Sequence, residues 1–346
     1  CIIAYNKFHI NPKKLFPKSY HYRASLTGDV LNGMQELVND LKKNYGNLKN
    51  KKVLDIGCND GSLLNFFKKQ GAITIGVEPT NACKNIKKHT IFNDFFSKKI
   101  SKKINKKFGD IDFIIFTNVF AHINNLKKLI SNLKLLINQK TKIVIENHYL
   151  GSVIETNQFD TFYHEHPRTY SLKSLKIVSE LLKMKLSYFK FPKRYGGNIR
   201  VIFTKDIVKF KKKNYLYIEK KERKFFSKLI MMKSKILMWK KQKLKMIKLM
   251  KKKEVRFIGK AFPGRASILI NFLKLTNSDI ECIFEKNNSL KIGHYVPNTN
   301  IPIVSDAKLK DISKNKVIIN FAWHISKEIK KYLLNKKIYN KVIDII

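Results

Sequence analysis

The chain is 346 residues long, more than one ordinary domain needs and enough for two with full cores. Its formal net charge of +46 comes almost wholly from lysine spread along the entire length, while arginine is scarce. Arginine is the residue that reads base edges and forks onto phosphate, so the charge speaks for solvated faces that favour anionic small molecules and against a nucleic-acid-binding protein.

Four cysteines are too few for a disulfide scaffold, and no apolar run approaches the ~20 residues of a membrane span. With no secretory leader pattern, the expectation is a cytoplasmic protein without a membrane partner. The chain opens on Cys1 instead of Met, which predicts a segment upstream.

Residues 1–50 read as an irregular lead with one helix. After Gly28 and Asp29, the residues Leu31, Met34, Leu37, Val38 and Leu41 repeat at helical spacing as far as Lys43. Tyr20 and Tyr22 stand in the lead, where their phenols could cap a site. From Lys51 the run KKVLDIGCNDGSLLNFF predicts a strand over Val53–Ile56, a turn with Gly57 and Gly61, and an amphipathic helix from about Ser62. Glycines in such a turn let backbone approach a ligand, and the helix start offers unpaired N–H groups.

A second strand, Ile73–Val77, ends in Glu78, placed to accept hydrogen bonds from both hydroxyls of a ribose. A dinucleotide fingerprint would need GxGxxG and room for pyrophosphate. Here the run is Gly57-Cys58-Asn59-Asp60-Gly61, and Asp55 would repel a pyrophosphate yet meet a cationic methionine amino group. S-adenosylmethionine is therefore preferred to NAD, with Asp55, Gly57, Asn59, Gly61 and Glu78 as its contacts. A solvent-facing loop without ligand is the remaining reading. Asp94 is a candidate for the adenine amino group, with Phe95 against the ring.

Ile111–Phe116 reads as a buried strand, Asn125–Ile137 as a helix and Lys142–Glu146 as another strand. Strand and helix in alternation predict an α/β fold, a doubly wound parallel sheet with ligands at the carboxyl ends of its strands. Asn118 and His122 then fall at that edge, near the cofactor. The tract QFDTFYHEHPRTYS, Gln158–Ser171, breaks the rhythm. In it a histidine beside an acid can act as a general base. Adding His148 gives three imidazoles, so a metal reading and a purely structural one stay open, although cysteine spacing of zinc type is absent.

A helix over Leu172–Leu182 leads to strands near Leu186–Phe191 and Ile199–Phe203. Tyr195-Gly196-Gly197-Asn198 joins these strands as a tight turn or as backbone pressed against ligand. Lys221–Lys253 reads as one long basic packing helix with Phe225, Leu229, Met232, Ile236, Trp239, Leu244 and Ile247 inward.

A second, smaller α/β unit begins at Val255. Its strands are Val255–Ile258, Ile280–Phe284, Lys316–Phe321 and Val342–Ile346, with a loop over Gly259–Arg265 and a helix over Ala266–Leu273. Its first loop is similar to the one after Val53–Ile56, but the acid after the second strand, Glu285, reads as out of register with Glu78. Arg265 before the helix offers an anion site. The expected domains are 1–50, 51–204, a linking helical region over 205–253, and 254–346.

LFPKSYHYRAS (15–25), VLDIGCNDGSLL (53–64), YHEHPRTYS (163–171), YGGNIRV (195–201), GKAFPGRASILIN (259–271) and the tract Gly293–Ile303 stand in one order. In that order they resemble the motifs of the S-adenosylmethionine-dependent sugar C-methyltransferases, which act on nucleotide-linked 4-keto-deoxysugars. The resemblance covers nearly the whole chain. It implies a Rossmann-like class I methyltransferase core, a C-terminal α/β domain that helps hold the sugar nucleotide, and a place in deoxysugar biosynthesis. It also implies a small N-terminal zinc-binding domain with Cys1 as its last ligand, so zinc is expected in an intact protein and no metal in this chain.

By the same resemblance Tyr163, Glu165, His166 and His148 are catalytic, with His166 the base poised by Glu165. Tyr20 and Tyr22 close over substrate, and Asp55, Gly57, Glu78 and His122 lie in the cofactor region. Tyr195, Gly196, Gly197, Asn198 and Arg265 fall among the substrate contacts. Tyr195 stands where the family often has His, Asn198 where Ser is common, and Arg265 where many members have Lys, a cation for diphosphate or for a neighbouring acid. The alternative enzyme is an O- or N-methyltransferase of a small molecule. The alternative of another class is a basic nucleic-acid-binding protein.

Overall fold

The computed structural model describes residues 2–206, 212–287 and 289–346, so Cys1 lies outside the described residues. Contacts divide the chain into two units, one of Cys1–Val153 with His164–Phe225, the other of Ile154–Tyr163 with Phe226–Ile346. The split at 225/226 lies within the linking region expected over 205–253, and a ten-residue stretch from the middle of the chain packs with the second unit.

In the first unit, β1 (Ile3–Tyr5) and α1 (Pro12–Leu15) form the lead, followed by α2 (Gly28–Tyr45). The apolar face of α2 buries Val30, Met34, Leu37, Val38 and Leu41, and the helix ends at Gly46, whose φ of 78° suits glycine. Then come β2 (Lys52–Ile56), α3 (Ser62–Lys68), β3 (Ile73–Val77), β4 (Thr90–Phe92), α4 (Lys98–Phe108), β5 (Phe113–Thr117), α5 (Leu126–Leu133) and β6 (Lys142–His148). α6 (Leu150–Glu155), β7 (Arg168–Tyr170), α7 (Leu172–Leu181), β8 (Lys185–Lys190), β9 (Asn198–Thr204) and α8 (Lys212–Glu222) follow.

Seven strands form one sheet in the order β4-β3-β2-β5-β6-β9-β8. β9 runs antiparallel to both its neighbours, and the other contacts in the sheet are parallel. The strand order reverses at β2/β5, the place where open α/β sheets bind ligands beyond the carboxyl ends of their strands. β6 extends two residues past the expected Glu146, so His148 lies within the sheet, and the helix expected to reach Ile137 stops at Leu133.

The second unit holds most of α9 (Phe225–Lys252), then β10 (Phe257–Lys260), α10 (Ala266–Leu273), β11 (Ile280–Glu285), β12 (Ile303–Ser305), β13 (Val317–Asn320), α11 (Ser326–Asn335) and β14 (Val342–Asp344). The single helix expected over Lys221–Lys253 is broken between Glu222 and Phe225. Phe225, Met232, Trp239 and Ile247 are its buried stripe, whereas Leu244 is exposed.

The five strands are all parallel, in the order β12-β11-β10-β13-β14. Here the sequence reading needs correction. Gly57 N–H bonds Val77 O at 2.7 Å just before Glu78, and Ala261 N–H bonds Phe284 O at 2.8 Å just before Glu285. The two acids thus occupy the same register, and each clasps its first loop: Asn59 N–H to Glu78 Oε2 and Phe262 N–H to Glu285 Oε2, both 2.9 Å.

Candidate active site

The carboxyl edge of the first sheet gathers two carboxyl groups around a glycine turn. Asp55 and Glu78 end adjacent strands and are both buried. Burial, with the Glu78 charge adding to it, pushes the Asp55 carboxyl up to about 8. Glu78 is held by Thr80 N–H and Thr80 Oγ1 on Oε1 (2.9 and 2.6 Å) and by Asn59 N–H on Oε2, three donors that leave a carboxylate further acceptor capacity.

Gly57 has a φ of 79°, and a Cβ there would lie 2.5 Å from a methyl of Val119, so only glycine fits. Gly61, also left-handed, precedes α3. Asn59 faces the lead: its Oδ1 accepts Ala24 N–H at 2.9 Å, and its Nδ2 donates to Tyr22 O at 3.1 Å. Asp94 is exposed and accepts the N–H of Phe95 at 2.7 Å, so it is free of any buried constraint. A buried carboxyl in want of a cation, a second carboxylate at the next strand end and a turn without side chain fit the amino group and ribose of S-adenosylmethionine.

At the same sheet edge the structure brings three imidazoles into ring contact. His166 is buried, its ring centroid 4.9 Å from that of His122 and 5.3 Å from that of His148. His122 Nδ1 lies 2.6 Å from the carbonyl oxygen of Glu165. Burial lowers the His122 pKa, opposed by the Glu165 and Asn118 carbonyls. His122 thus grips the segment bearing His166, a contact that the sequence reading, which gave it to the cofactor, did not contain. Asn6 Nδ2 donates to His166 O at 2.8 Å, fixing the same segment from the lead. Among the described residues no group of three or more His, Cys, Asp or Glu side chains is arranged to hold a metal ion.

Three tyrosines complete this wall. Tyr20 has its phenol raised by burial and then by the charges of Glu165, Tyr22 and Glu78, and its ring packs on Phe16, which in turn meets His122. Tyr22 Oη lies 3.4 Å from Tyr195 Oη, and the Tyr195 ring meets His148 at 5.9 Å. Tyr195 has φ 55° and ψ 26°, a strained backbone for a bulky residue. Gly196 and Gly197 also have positive φ, and a Cβ on Gly197 would fall 2.3 Å from Ser152 Oγ. Asn198 is fully buried, with Nδ2 on Asn118 Oδ1 at 3.2 Å and on Glu146 Oε1 at 3.1 Å.

Two expected site residues belong to the second unit. Tyr163 is grouped with the second unit, its N–H on Thr161 O. Arg265, expected to offer its charge to an anion, is turned inward in that unit. Its guanidinium forks onto buried Asp160 at 2.7 and 3.1 Å and lies over the Trp323 ring at 4.8 Å. Trp323 Nε1 donates to the same carboxylate at 3.1 Å. Of the two partners foreseen for this cation, the neighbouring acid holds it.

One cluster was not foreseen at all. Glu146, with no exposed surface, takes Arg194 Nε and Asn198 Nδ2 on Oε1 and Arg200 Nε on Oε2. Burial alone would raise its carboxyl, but Arg194 and Arg200 outweigh that and hold it below the ordinary carboxylate range. Arg200 also pairs with Asp40 of α2, and Arg194 donates to Val30 O at 3.1 Å. The one hint in the sequence is that two of its few arginines flank the Gly196-Gly197 turn.

Comparison with known proteins agrees with this layout. A methyltransferase domain family matches residues 28–179, and the C-methyltransferase C-terminal domain family matches residues 193–340. The C-methyltransferase NovU of Streptomyces niveus is 26% identical over 198 residues, which are 56% of this chain and 47% of NovU. The chain thus aligns with about half the length of that curated relative.

Among solved structures, a methyltransferase from Archaeoglobus fulgidus is 19% identical with a TM-score of 0.37, covering 49% of this chain and 93% of its own. The magnesium protoporphyrin IX methyltransferase of Synechocystis is 12% identical with a TM-score of 0.37, covering 51% and 80%. Likenesses this distant add nothing to the strand order above. The two matched regions lie in sequence along most of the chain, which thus carries a methyltransferase domain followed by a C-methyltransferase C-terminal domain.

Proposed function

We propose that the chain is an S-adenosylmethionine-dependent C-methyltransferase acting on a nucleotide-linked 4-keto-deoxysugar through an enolate. The observation that supports the reading is buried His166 in ring contact with both His122 and His148, with Tyr195 against His148, at the sheet edge that also carries Asp55 and Glu78. A carbon nucleophile needs both a base and an oxyanion partner within reach of the methyl donor, and this edge of the sheet supplies all three kinds of group.

When bound, the donor supplies an electrophilic methyl group on sulfonium, with Glu78 on its ribose and Asp55 toward its amino group. His166 takes the proton from the carbon next to the ketone, and the electron pair moves onto the carbonyl oxygen. His148 or a tyrosine donates a hydrogen bond to that oxyanion. The enolate carbon then forms its bond to the methyl group as the methyl–sulfur bond breaks toward sulfur. Glu165 supports the imidazolium formed in the first step.

The test follows deuterium at the carbon next to the ketone in deuterium oxide, with and without donor. His166→Ala should lose ~10²–10⁴-fold in both exchange and methylation, the usual worth of a general base, while still binding donor. Exchange at the wild-type rate in that variant would move the base to His148 or Tyr163. Methylation of a substrate lacking the keto group would overturn the enolate route in favour of O- or N-transfer. Mass spectrometry of the product should show one added methylene mass on carbon.

A further inference from the structure

We propose that Glu146 is a positioning residue for methyl transfer, a buried carboxylate that sets Tyr195 on one side of the site and Asn118 on the other. The inference rests on the reading that Tyr195 faces the methyl acceptor and Asn118 the donor. Glu146 itself touches neither.

Four features of the structure converge on Glu146. First, its carboxylate ties the residues on both sides of Tyr195: Arg194 Nε at 2.5 Å and Asn198 Nδ2 at 3.1 Å share Oε1. Second, its main chain ties Asn118, whose N–H donates to Glu146 O at 2.7 Å, while Asn118 Oδ1 receives the same Asn198 amide. Third, Tyr195 and Asn118 both hold φ of 55°, a left-handed conformation that a bulky side chain such as tyrosine avoids and asparagine tolerates. Strain of that kind persists only where the surroundings over-determine it, and here one residue is common to both surroundings. Fourth, Glu146 stands two residues before His148 on β6, hence on the same face of the strand, and the Tyr195 ring rests against His148.

A buried ion cluster is a poor way to gain stability, since apolar residues of the same volume do as well or better. Its directional bonds do what apolar packing cannot: they fix where Tyr195 Oη points. Arg200 and Asp40 complete the charge balance and anchor the cluster to α2.

The experiment uses the full chain and compares Glu146→Gln, Tyr195→Phe and the double variant. If Glu146 acts through Tyr195, Glu146→Gln lowers kcat by ~10–100-fold, as misplacement by about an ångström does. Donor affinity weakens as Asn118 loosens, and the double variant is no slower than the slower single. Losses that multiply in the double variant, or an unchanged kcat in folded Glu146→Gln, overturn the inference. Should Glu146→Gln fail to fold, Arg194→Lys keeps the charge, loses the fork and is held to the same criterion.

A readout free of substrate separates this from the proposed reaction. Hydrogen exchange in Glu146→Gln should rise in the peptides spanning 117–119 and 193–198 together, and protection unchanged in either sinks the inference whatever the acceptor proves to be. A wild-type chain inactive on keto-sugars, with the paired rise in exchange still seen in Glu146→Gln, would sink the reaction and leave Glu146 its role.

Discussion

Asp55 and Glu78 end neighbouring parallel strands, yet only Glu78 is surrounded by donors, and its charge helps raise the Asp55 carboxyl to about 8. A group whose folded pKa is above its unfolded value binds more protons when folded. Its contribution to stability is therefore present below about 4, is lost as pH rises, and is gone above about 8. Binding of a cationic amino group reverses the preference, because the partner favours the carboxylate. Donor affinity should rise with pH through this window, and calorimetry in buffers of different ionisation enthalpy should detect proton release on binding at pH 7. Pure proton-independent binding, or affinity that falls as pH rises, would remove Asp55 from the amino-group side.

Glu78→Gln keeps volume but replaces one acceptor oxygen with a donor. With a charge-assisted pair to ribose lost, donor affinity should weaken by roughly 1.5–3 kcal/mol. Titration calorimetry measures it, with the wild-type melting temperature as the check that the Asn59 and Thr80 clasps have not collapsed. Unchanged affinity would take the ribose away from this acid.

Gly33 gives a prediction whose sign alone decides. In the middle of an exposed helix, glycine to alanine usually stabilises by ~0.4–1 kcal/mol. A Cβ on Gly33 would lie 1.9 Å from the Arg194 guanidinium, which is itself buried and bound to Glu146. Gly33→Ala should therefore destabilise, by the ~1–3 kcal/mol typical of overpacking, in denaturant melts. A stabilised variant would mean that Arg194 has another place to go.

Arg265→Ala should act on stability before it acts on substrate affinity. It leaves the Asp160 carboxylate buried against Trp323 without its cation, a loss of ~3–5 kcal/mol for broken buried pairs. Removing the acid as well, in Arg265→Met with Asp160→Asn, should recover much of that in thermal melts. If the single variant is as stable as wild type and only the KM for the sugar nucleotide rises, the cation belongs to substrate instead.

The glycine turn before α3 and both ends of α10 were legible because their signals are local. Gly57 and Gly61 answer to backbone angles that neighbouring residues dictate, and α10 starts and stops at Ala266 and Leu273 as its pattern of apolar residues does. The break before Phe225 was hidden because no glycine or proline marks it. Glu222 is instead drawn under the start of α7, taking the N–H groups of Leu172 and Lys173 and the Tyr149 hydroxyl. β12 was missed because three residues give too short a pattern. Within the site, residue types in the YHEH tract announced chemistry, but the ring contacts of His122 and His148 with His166 join three separate segments. Glu146 was read only as the end of a strand, since its arginines lie 48 and 54 residues further on.

The second unit reaches back for Ile154–Tyr163, and Asp160 meets Arg265 across 105 residues of sequence. A chain made from the amino end therefore completes its seven-stranded sheet while Asp160 still has no partner. Only when Arg265 and the later strands emerge can the stretch directly upstream of His164–His166 settle. Synthesis order thus makes Ile154–Tyr163 among the last parts to be fastened, after the neighbouring His166 segment is already held by His122 and Asn6, and a chain cut short before residue 265 would leave the buried Asp160 with no cation to close on.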